Sequence, residues 1–256
     1  MGKSKTSNGM NDLSIVITHY KTPQLLNNLL KHLKAGGDTA QIIVADSQAR
    51  PETGLLVRTQ FPRVTYIPFA DNVGYAKLAN AGVRKADRPY ILILNADISI
   101  DLGDIKKMRS FLALHNDAGA LGASAAFRFP TLGAILARRT LWSYTPWGKR
   151  AQAHYEMQDY TRQEPRQVDW VRGDCWMLTK NAIDTVGLLD ERFFMYLEDT
   201  DWCRRAKRAG FSVYFLPGIT LKQRQQGSSR KKTTAGLLYR FSHIKSFINY
   251  LLKWNH

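Results

Sequence analysis

Two clusters of carboxylates carry the chemistry that this sequence is equipped to do. The run Tyr90-Ile91-Leu92-Ile93-Leu94-Asn95-Ala96-Asp97 reads as a buried apolar strand ending on an acid. A carboxylate at that place is costly unless positive charge meets it. A divalent cation carrying a phosphate would supply that charge; a helix start capped by Asp97 is the other reading. The second cluster, Glu198-Asp199-Thr200-Asp201, sets three acids within four residues. Their mutual repulsion tends to raise at least one pKa, which suits a general base in a partly desolvated site. Acids at the start of a solvated helix, facing its positive dipole end, account for the same residues. Asp201 and Arg205 also stand at the spacing of a helical ion pair.

Two further places offer hydrogen-bonding groups to a ligand. Asp71-Asn72-Val73-Gly74-Tyr75-Ala76-Lys77 combines a turn glycine, two short polar side chains and a lysine on the helix that follows. It would bracket a diphosphate and ribose, or it is a capped helix start. Asp46, at the end of another apolar run, either receives hydrogen bonds from a base or ribose or closes its strand against solvent.

The elements that must position these residues follow from periodicity. Leu13 to Thr18, Gln41 to Asp46, Val64 to Ile67 and Tyr90 to Asp97 are short, β-branched or apolar runs that read as strands. Between them, Thr22-Pro23 opens a helix with Leu25, Leu26, Leu29, Leu30 and Leu33 at helical spacing, stopped by Gly36-Gly37. A second helix follows Gly74, with Ala76, Leu78, Ala79, Ala81 and Val83. Alternation of this kind predicts an α/β fold with a largely parallel, doubly wound sheet and ligands at the carboxyl ends of its strands. Asp46, Asp71 and Asp97 all stand at or just beyond such ends. The stretch from Ala125 to Gln167 is less regular, with Arg138-Arg139, Trp142, Tyr144, Trp147, Tyr155 and Tyr160, and reads as a lid, a partner-binding loop or plain irregular surface. Val168 to Thr179 returns to order, followed by helices near 180–186 and 200–209 and a strand over 211–216.

Composition narrows the class. At 256 residues, 44% of them hydrophobic, the chain is long enough for one domain with a good core. Its formal charge of +16 draws polyanions: nucleic acid, anionic lipid or diphosphate-bearing small molecules. Cys175 and Cys203 stand alone, without a CxxC, which excludes a disulfide framework or thiolate zinc site and favours reducing, cytosolic surroundings. Met1 to Asp12 contain no apolar stretch of the signal-peptide kind, and no run approaches the roughly 18 apolar residues of a membrane span. The tail differs in kind: Lys222 to His256 holds eight Lys or Arg residues and no acid. There Leu237, Phe241, Ile244, Ile248, Leu251 and Leu252 mark one helical face, as in an interfacial membrane helix or a terminal helix docked on a core. A nucleic-acid-binding protein would fit the charge, but no recognition motif appears and the acidic clusters stay unexplained. A nicotinamide dehydrogenase is disfavoured because no Gly-x-Gly-x-x-Gly follows the first strand.

Taken in order, five segments resemble the inverting, nucleotide-sugar-dependent glycosyltransferases of family 2, and most closely the bacterial rhamnosyltransferases of cell-surface polysaccharide assembly. The segments are Ile15-Val16-Ile17-Thr18-His19-Tyr20, Ile43-Val44-Ala45-Asp46, Asp71-Asn72-Val73-Gly74-Tyr75, Leu94-Asn95-Ala96-Asp97 and the block from Gly187 to Arg205. The resemblance covers residues 13 to 229 and implies a GT-A fold, with a Rossmann-like, mostly parallel sheet and a smaller antiparallel element. It implies a polar tail over 1–12, a catalytic domain over 13–229 and a basic amphipathic helix over 230–256.

By position, the resemblance assigns Thr18, Tyr20, Asp46, Asn72, Lys77 and Asn95 to the nucleotide-sugar donor and Asp97 to Mg²⁺ or Mn²⁺. Asp199 becomes the catalytic base with Glu198 beside it, and Arg172, Gly173 and Asp174 lie on the acceptor side. Two departures stand out. Asn95 replaces the first acid of the usual Asp-x-Asp, and no histidine occurs between Leu216 and Ser229, where related chains often have one. Lys222 or Arg224 is the candidate to meet the diphosphate in its place. The implied reaction transfers a hexose, with rhamnose from a dTDP donor the first choice and UDP- or GDP-sugars the alternatives. The implied acceptor is a glycan or a polyprenyl-diphosphate-linked glycan at the inner face of the plasma membrane, where an anionic surface would match the tail.

Overall fold

The computed structural model describes residues 10–35, 39–131, 144–223 and 234–254, with side chains in the last stretch only from residue 242 onward. Strand and helix alternate through β1 (Leu13–Tyr20), α1 (Pro23–Ala35), β2 (Gln41–Ser47), α2 (Pro51–Gln60), β3 (Thr65–Pro68), α3 (Tyr75–Val83) and β4 (Tyr90–Asn95). There follow β5 (Ile98–Ile100), α4 (Leu102–Leu114), β6 (Ala118–Gly122), β7 (Ala126–Phe127) and α5 (Pro146–Tyr155). The last part comprises β8 (Arg166–Gln167), β9 (Trp170–Val171), β10 (Cys175–Thr179), α6 (Lys180–Val186), α7 (Glu198–Arg208), β11 (Ser212–Phe215), β12 (Leu221–Gln223) and α8 (Thr234–Trp254).

The main sheet runs β3-β2-β1-β4-β10-β6-β11-β8. Its pairs β3-β2, β2-β1, β1-β4 and β6-β11 are parallel, while β10 lies antiparallel between β4 and β6. Two small antiparallel ladders, β5-β12 and β7-β9, stand apart from it. This is the mostly parallel, GT-A-type architecture that the sequence predicts. One face of the sheet, with Val16, Ile43, Ile91 and Ile93, packs against α3, α6 and α7. The other, with Ile15, Ile17, Leu92 and Leu94, packs against α1, α2 and α4. Burial on both faces explains why these strands read as continuous apolar runs rather than alternating ones.

Three boundaries differ from expectation. The apolar run stops pairing at Asn95, and Ala96-Asp97 form the turn into β5. There the Ala96 amide donates to the Thr18 carbonyl (3.0 Å), which turns the chain out of the ladder and leaves Asp97 at its tip. The acidic helix begins at Glu198, two residues earlier than the apolar spacing suggests, so both leading acids sit in its first turn. The irregular middle contains α5: Thr145 Oγ accepts from the Gly148 amide (3.1 Å) and Pro146 occupies a first-turn position. That Thr-Pro signal is the one recognised at α1 and missed here. Gly36-Gly37, Arg138-Arg139 and Trp142 lie outside the described residues.

α3 approaches the sheet closely because Gly82 has no side chain: a Cβ there would meet Val16 Cγ1 at 2.2 Å. Val16 is buried and β-branched, so it has little room to yield. Gly82→Ala is expected to lower stability by about 1–3 kcal/mol through overpacking, read as a shift of the urea midpoint; an unchanged midpoint would refute the tight contact.

Candidate active site

The carboxyl ends of β1, β2 and β4 open into a cleft of about 310 Å³. Its lining includes Thr18, Tyr20, Asn72, Asn95 and Asp97 together with Arg172, Gly173, Asp174, Glu198 and Asp199. The two acidic clusters, a hundred residues apart in the chain, therefore share one cavity. A second cavity of about 800 Å³ adjoins it, walled by Phe127, Tyr155, Trp170 and, from α8, His243, Ile244 and Phe247. Arg172, Tyr196, Glu198 and Asp199 line both. Asp97 lines the cleft but not the larger cavity.

Several predicted residues take structural partners. Thr18 Oγ donates to Asn95 Oδ1 (2.7 Å), tying the ends of β1 and β4. Asn72 Oδ1 accepts from the Gly74 amide (3.2 Å) and from Ser47 Oγ (3.3 Å), which shapes the turn before α3. Gly74 itself has φ 77°, and a Cβ there would strike the Phe194 carbonyl at 2.3 Å, so only glycine lets this turn touch the loop before α7. Tyr20 reaches Gln48 (3.3 Å) at the rim. Asp46 lies beneath the cleft rather than in its lining: it accepts from His19 Nδ1 and Tyr66 Oη, each at 2.6 Å. Because His19 Nε2 accepts from the Thr22 amide (3.0 Å), its proton must sit on Nδ1, facing Asp46. Lys77 is exposed on α3, and Lys222 is exposed on β12; neither is among the lining residues. Arg224 falls outside the described residues, as do Gly227-Ser228-Ser229.

Other lining residues had no role in the sequence reading. Gln223, next to Lys222 on β12, donates to Asp97 Oδ2 (3.3 Å). The β5-β12 ladder brings it there, and a three-residue edge pairing over 120 positions leaves no local signal. Tyr75 donates to the Gly173 carbonyl, so the aromatic residue of the Asn-x-Gly turn braces the loop between β9 and β10. His19, Ser47 and Tyr196 also line the cleft.

The paired acids divide the charge between them. Asp199 Oδ2 accepts from the Gly173 amide (2.9 Å), and Oδ1 from the Thr200 amide (2.7 Å) and hydroxyl (3.3 Å). Glu198 is buried, and its Oε2 has no hydrogen-bond partner among the described residues. Burial, then the Asp199 charge, lifts the Glu198 carboxyl well above the usual range. Burial also raises Asp199, helped by the Asp174 charge and opposed by the amides of Gly173 and Thr200. An ionised carboxylate goes where donors are, so the negative charge resides on Asp199 and the proton on Glu198.

The cleft residues from Thr18 to Asp174 lie inside a wider match. The model of Glycosyl transferase family 2 matches residues 14–187, more than half of the chain. The chain belongs to that family. Among curated proteins it is similar to the low-salt glycan biosynthesis hexosyltransferase Agl10 of Haloferax volcanii, 27% identical over 213 residues. That alignment takes in 80% of the chain and 64% of the relative, so the chain spans somewhat less than two thirds of that protein. It is also similar to the N-acetylglucosaminyl-diphospho-decaprenol L-rhamnosyltransferase of Mycobacterium tuberculosis, 23% identical, with 91% of the chain and 81% of that protein covered. A solved mannosyltransferase, PcManGT of Pyrobaculum calidifontis in complex with GDP-Man and Mn²⁺, superposes with a TM-score of 0.64 at 14% identity. That superposition covers 94% of the chain and 64% of the mannosyltransferase, and it speaks for the fold.

In this family-2 chain no group of three or more His, Cys, Asp or Glu side chains converges to hold a metal by itself among the described residues. The donor set still fits a hard cation that arrives with its phosphates, since Mg²⁺ is commonly held by one or two carboxylates plus substrate oxygens and water. Asp97 offers one such carboxylate. Burial lifts its pKa above the ordinary carboxylate value and the nearby Asp174 charge adds to the rise, while the Gln223 hydrogen bond and the Arg172 charge oppose it. A carboxylate whose charge is disfavoured by burial and by a like charge is the kind a cation relieves.

Carbon-13 NMR titration checks the assignment at Asp199. Its midpoint is expected above the ordinary aspartate value of about 3.9, and Asp174→Asn is expected to lower it by removing a like charge. A midpoint at or below the ordinary value would contradict the buried setting.

Proposed function

We propose that the chain is an inverting glycosyltransferase that moves a hexose from a nucleotide-diphosphate sugar to a hydroxyl of a lipid-linked glycan, with dTDP-rhamnose as the leading donor. One observation carries the reading: Glu198 and Asp199 stand where two cavities meet, and Asp97 lines only the smaller of these two. The cleft at the strand ends takes the donor, and the larger aromatic cavity takes the acceptor. Stacked Phe127 and Trp170, with centroids 4.5 Å apart, offer the flat apolar surface that a sugar ring covers well. The choice of rhamnose rests on the similarity to the Mycobacterium tuberculosis enzyme, and UDP- or GDP-sugars are the alternatives.

In this reading Asp199, kept ionised by Gly173 and Thr200, takes the proton of the acceptor hydroxyl as that oxygen attacks the anomeric carbon. The bond from that carbon to the diphosphate breaks on the opposite side, so the configuration inverts. Protonated Glu198 adds no second negative charge against the base and offers a hydrogen bond to the acceptor. Asp97, with Asn95 beside it in the cleft lining, is the residue to hold Mg²⁺ or Mn²⁺. When bound, such an ion neutralises charge that gathers on the leaving diphosphate. Arg172 and Gln223 extend the polar lining around that group.

The basic tail supplies the setting. Ile244, Ile248 and Leu252 follow one another at four-residue spacing on α8 and are 51%, 49% and 67% exposed. Ile244 also lines the acceptor cavity, so an apolar stripe runs outward from that cavity along a helix of a chain carrying +16. No helix among the described residues is long and apolar enough to cross a membrane. An anionic bilayer surface at the inner face of the plasma membrane is the matching partner: it takes up the stripe, attracts the charge and delivers a lipid-linked acceptor.

Two experiments test these readings. In a donor panel followed by nucleotide release, one diphosphate sugar is expected to turn over, with Asp199→Asn slower by roughly 10²-fold or more and with activity lost in chelator or in Asp97→Asn. Turnover that survives Asp199→Asn would sink the base. Ile248→Ser/Leu252→Ser is expected to weaken partitioning onto phosphatidylglycerol vesicles by about tenfold or more, while nucleotide binding stays unchanged. Equal partitioning of the variant and the parent would reject the membrane face.

A further inference from the structure

The expected apolar face of the tail is not the face by which α8 docks. Its contacts with the core run through Ser246, Tyr250 and Trp254, all buried, and through Asn249 and Lys253. Every one of these meets the segment that leads into the base or the helix that carries it. Ser246 Oγ donates to the Met195 carbonyl (2.8 Å) and Asn249 Nδ2 to the Arg192 carbonyl (3.2 Å). Tyr250 Oη accepts from Arg204 of α7 (3.0 Å). Lys253 Nζ lies 2.8 Å from Asp190 Oδ2 and 2.8 Å from Asp201 Oδ1, so a single ammonium joins the two ends of the segment Asp190 to Asp201. Trp254 Nε1 adds a bond to Asp201 Oδ1 (2.9 Å), and Asp201 is fully buried.

What this segment needs is restraint. Tyr196 and Leu197 adopt φ of 73° and 69°, left-handed conformations in consecutive non-glycine residues directly before Glu198. Such backbone persists only where its surroundings over-determine it. Leu197 packs against Phe193, Tyr250 and Trp254, a small cluster separate from the two faces of the sheet. On the other side the Phe194 carbonyl accepts from the Tyr75 amide (2.8 Å), so the same loop touches the donor-side turn. Asp201, which the sequence offers as one of the clustered acids and as a helical partner of Arg205 (2.9 Å), is thus also the anchor point of a distant helix.

We propose that Lys253, seconded by Trp254, is a positioning residue for the base: by joining Asp190 to Asp201 it fixes the left-handed entry that presents Glu198 and Asp199 to the acceptor. This rests on the glycosyltransferase reading for its kinetic consequence, though not for its structural one. The donor is held by β1, β4 and the turn before α3, none of which Lys253 touches. Misplacing Asp199 therefore slows the chemical step by much more than it changes donor affinity, to which this segment adds only the Phe194–Tyr75 bond and the lining residues Met195 and Tyr196.

The test uses the full chain with Lys253→Met, Lys253→Arg and Trp254→Phe. Asp190 keeps Arg192, and Asp201 keeps Arg205 and Trp254, so Lys253→Met leaves neither carboxylate without a partner. Expected is a kcat lower by roughly ten- to a hundredfold in Lys253→Met, with donor KM within about twofold, a smaller loss in Trp254→Phe, and recovery in Lys253→Arg. Hydrogen exchange in the substrate-free chain is expected to quicken at amides 195–200 and to stay unchanged at 91–94 of β4. This second readout needs no turnover, so it separates failure of the lock from failure of the transferase reading. Unchanged exchange at 195–200, an unchanged kcat, or faster exchange throughout the sheet together with a raised donor KM would each overturn the proposal.

Discussion

The hydrogen bond from the Gly173 amide to Asp199 is the joint on which the site depends. It crosses from the loop between β9 and β10 to the first turn of α7, and it gives a buried carboxylate one of its three donors. Without donors, burial would favour the protonated acid, as it does for neighbouring Glu198. The helix dipole helps both acids, by about 0.3–1 kcal/mol at such a terminus, but it acts on the two alike and cannot choose between them. The choice comes from specific N–H and O–H groups. The Gly173 carbonyl is in turn held by Tyr75, so the turn before α3 and the first turn of α7 brace one another through a single residue.

The sheet makes this possible by bringing chain ends together that are far apart in sequence. Parallel pairing of β2, β1 and β4 sets Ser47, Tyr20 and Asn95 at one edge, while β10 enters antiparallel beside β4 and delivers Asp174 and Gly173 from the opposite chain direction. The Asn95 amide donates to the Asp174 carbonyl (2.9 Å), closing the ring of backbone around the cleft. Asp97 gains its place at the tip of a turn because the ladder ends at Asn95. The turn holds a carboxylate at the mouth of the cleft, where a continued strand would have alternated it into or away from the sheet face.

Much of this was legible from residue order. The β-branched runs and Leu spacings found β1 to β4 with α1 and α3, since long apolar periodic segments owe their pattern to burial on two faces. The acidic clusters pointed to a shared cleft, which Asp97, Glu198 and Asp199 all line, because a carboxylate at a strand end or crowded among its kind needs a reason. The misses have physical causes. Asp46 looks like a ligand group at the end of β2, but its two oxygens serve His19 and Tyr66, partners brought by neighbouring strands whose register the sequence does not give. Lys77 is exposed on α3 and does not line the cleft. Gln223 has no pattern at all, being set against Asp97 by a three-residue edge ladder. α5 was hidden by surrounding Pro, Gly and aromatic residues, although its Thr-Pro start was plain.

The tail illustrates how one helix carries two apolar faces with different duties. Spacing alone picks out Ile244, Ile248 and Leu252, which remain exposed, and it overlooks Tyr250 and Trp254, which dock. The docking residues are aromatic with polar tips, so each both fills a cluster and ends on a hydrogen bond, Tyr250 to Arg204 and Trp254 to Asp201. A hydropathy count ranks them below isoleucine, yet directional bonds make them the better anchors for setting a helix at a fixed angle. The plain aliphatic stripe has no such directionality and suits a fluid apolar partner. Because the stripe and the anchors alternate around one helix, whatever covers the outer face meets the same element that holds the loop before Glu198, and the cavity lined by Phe127 and Trp170 borders both.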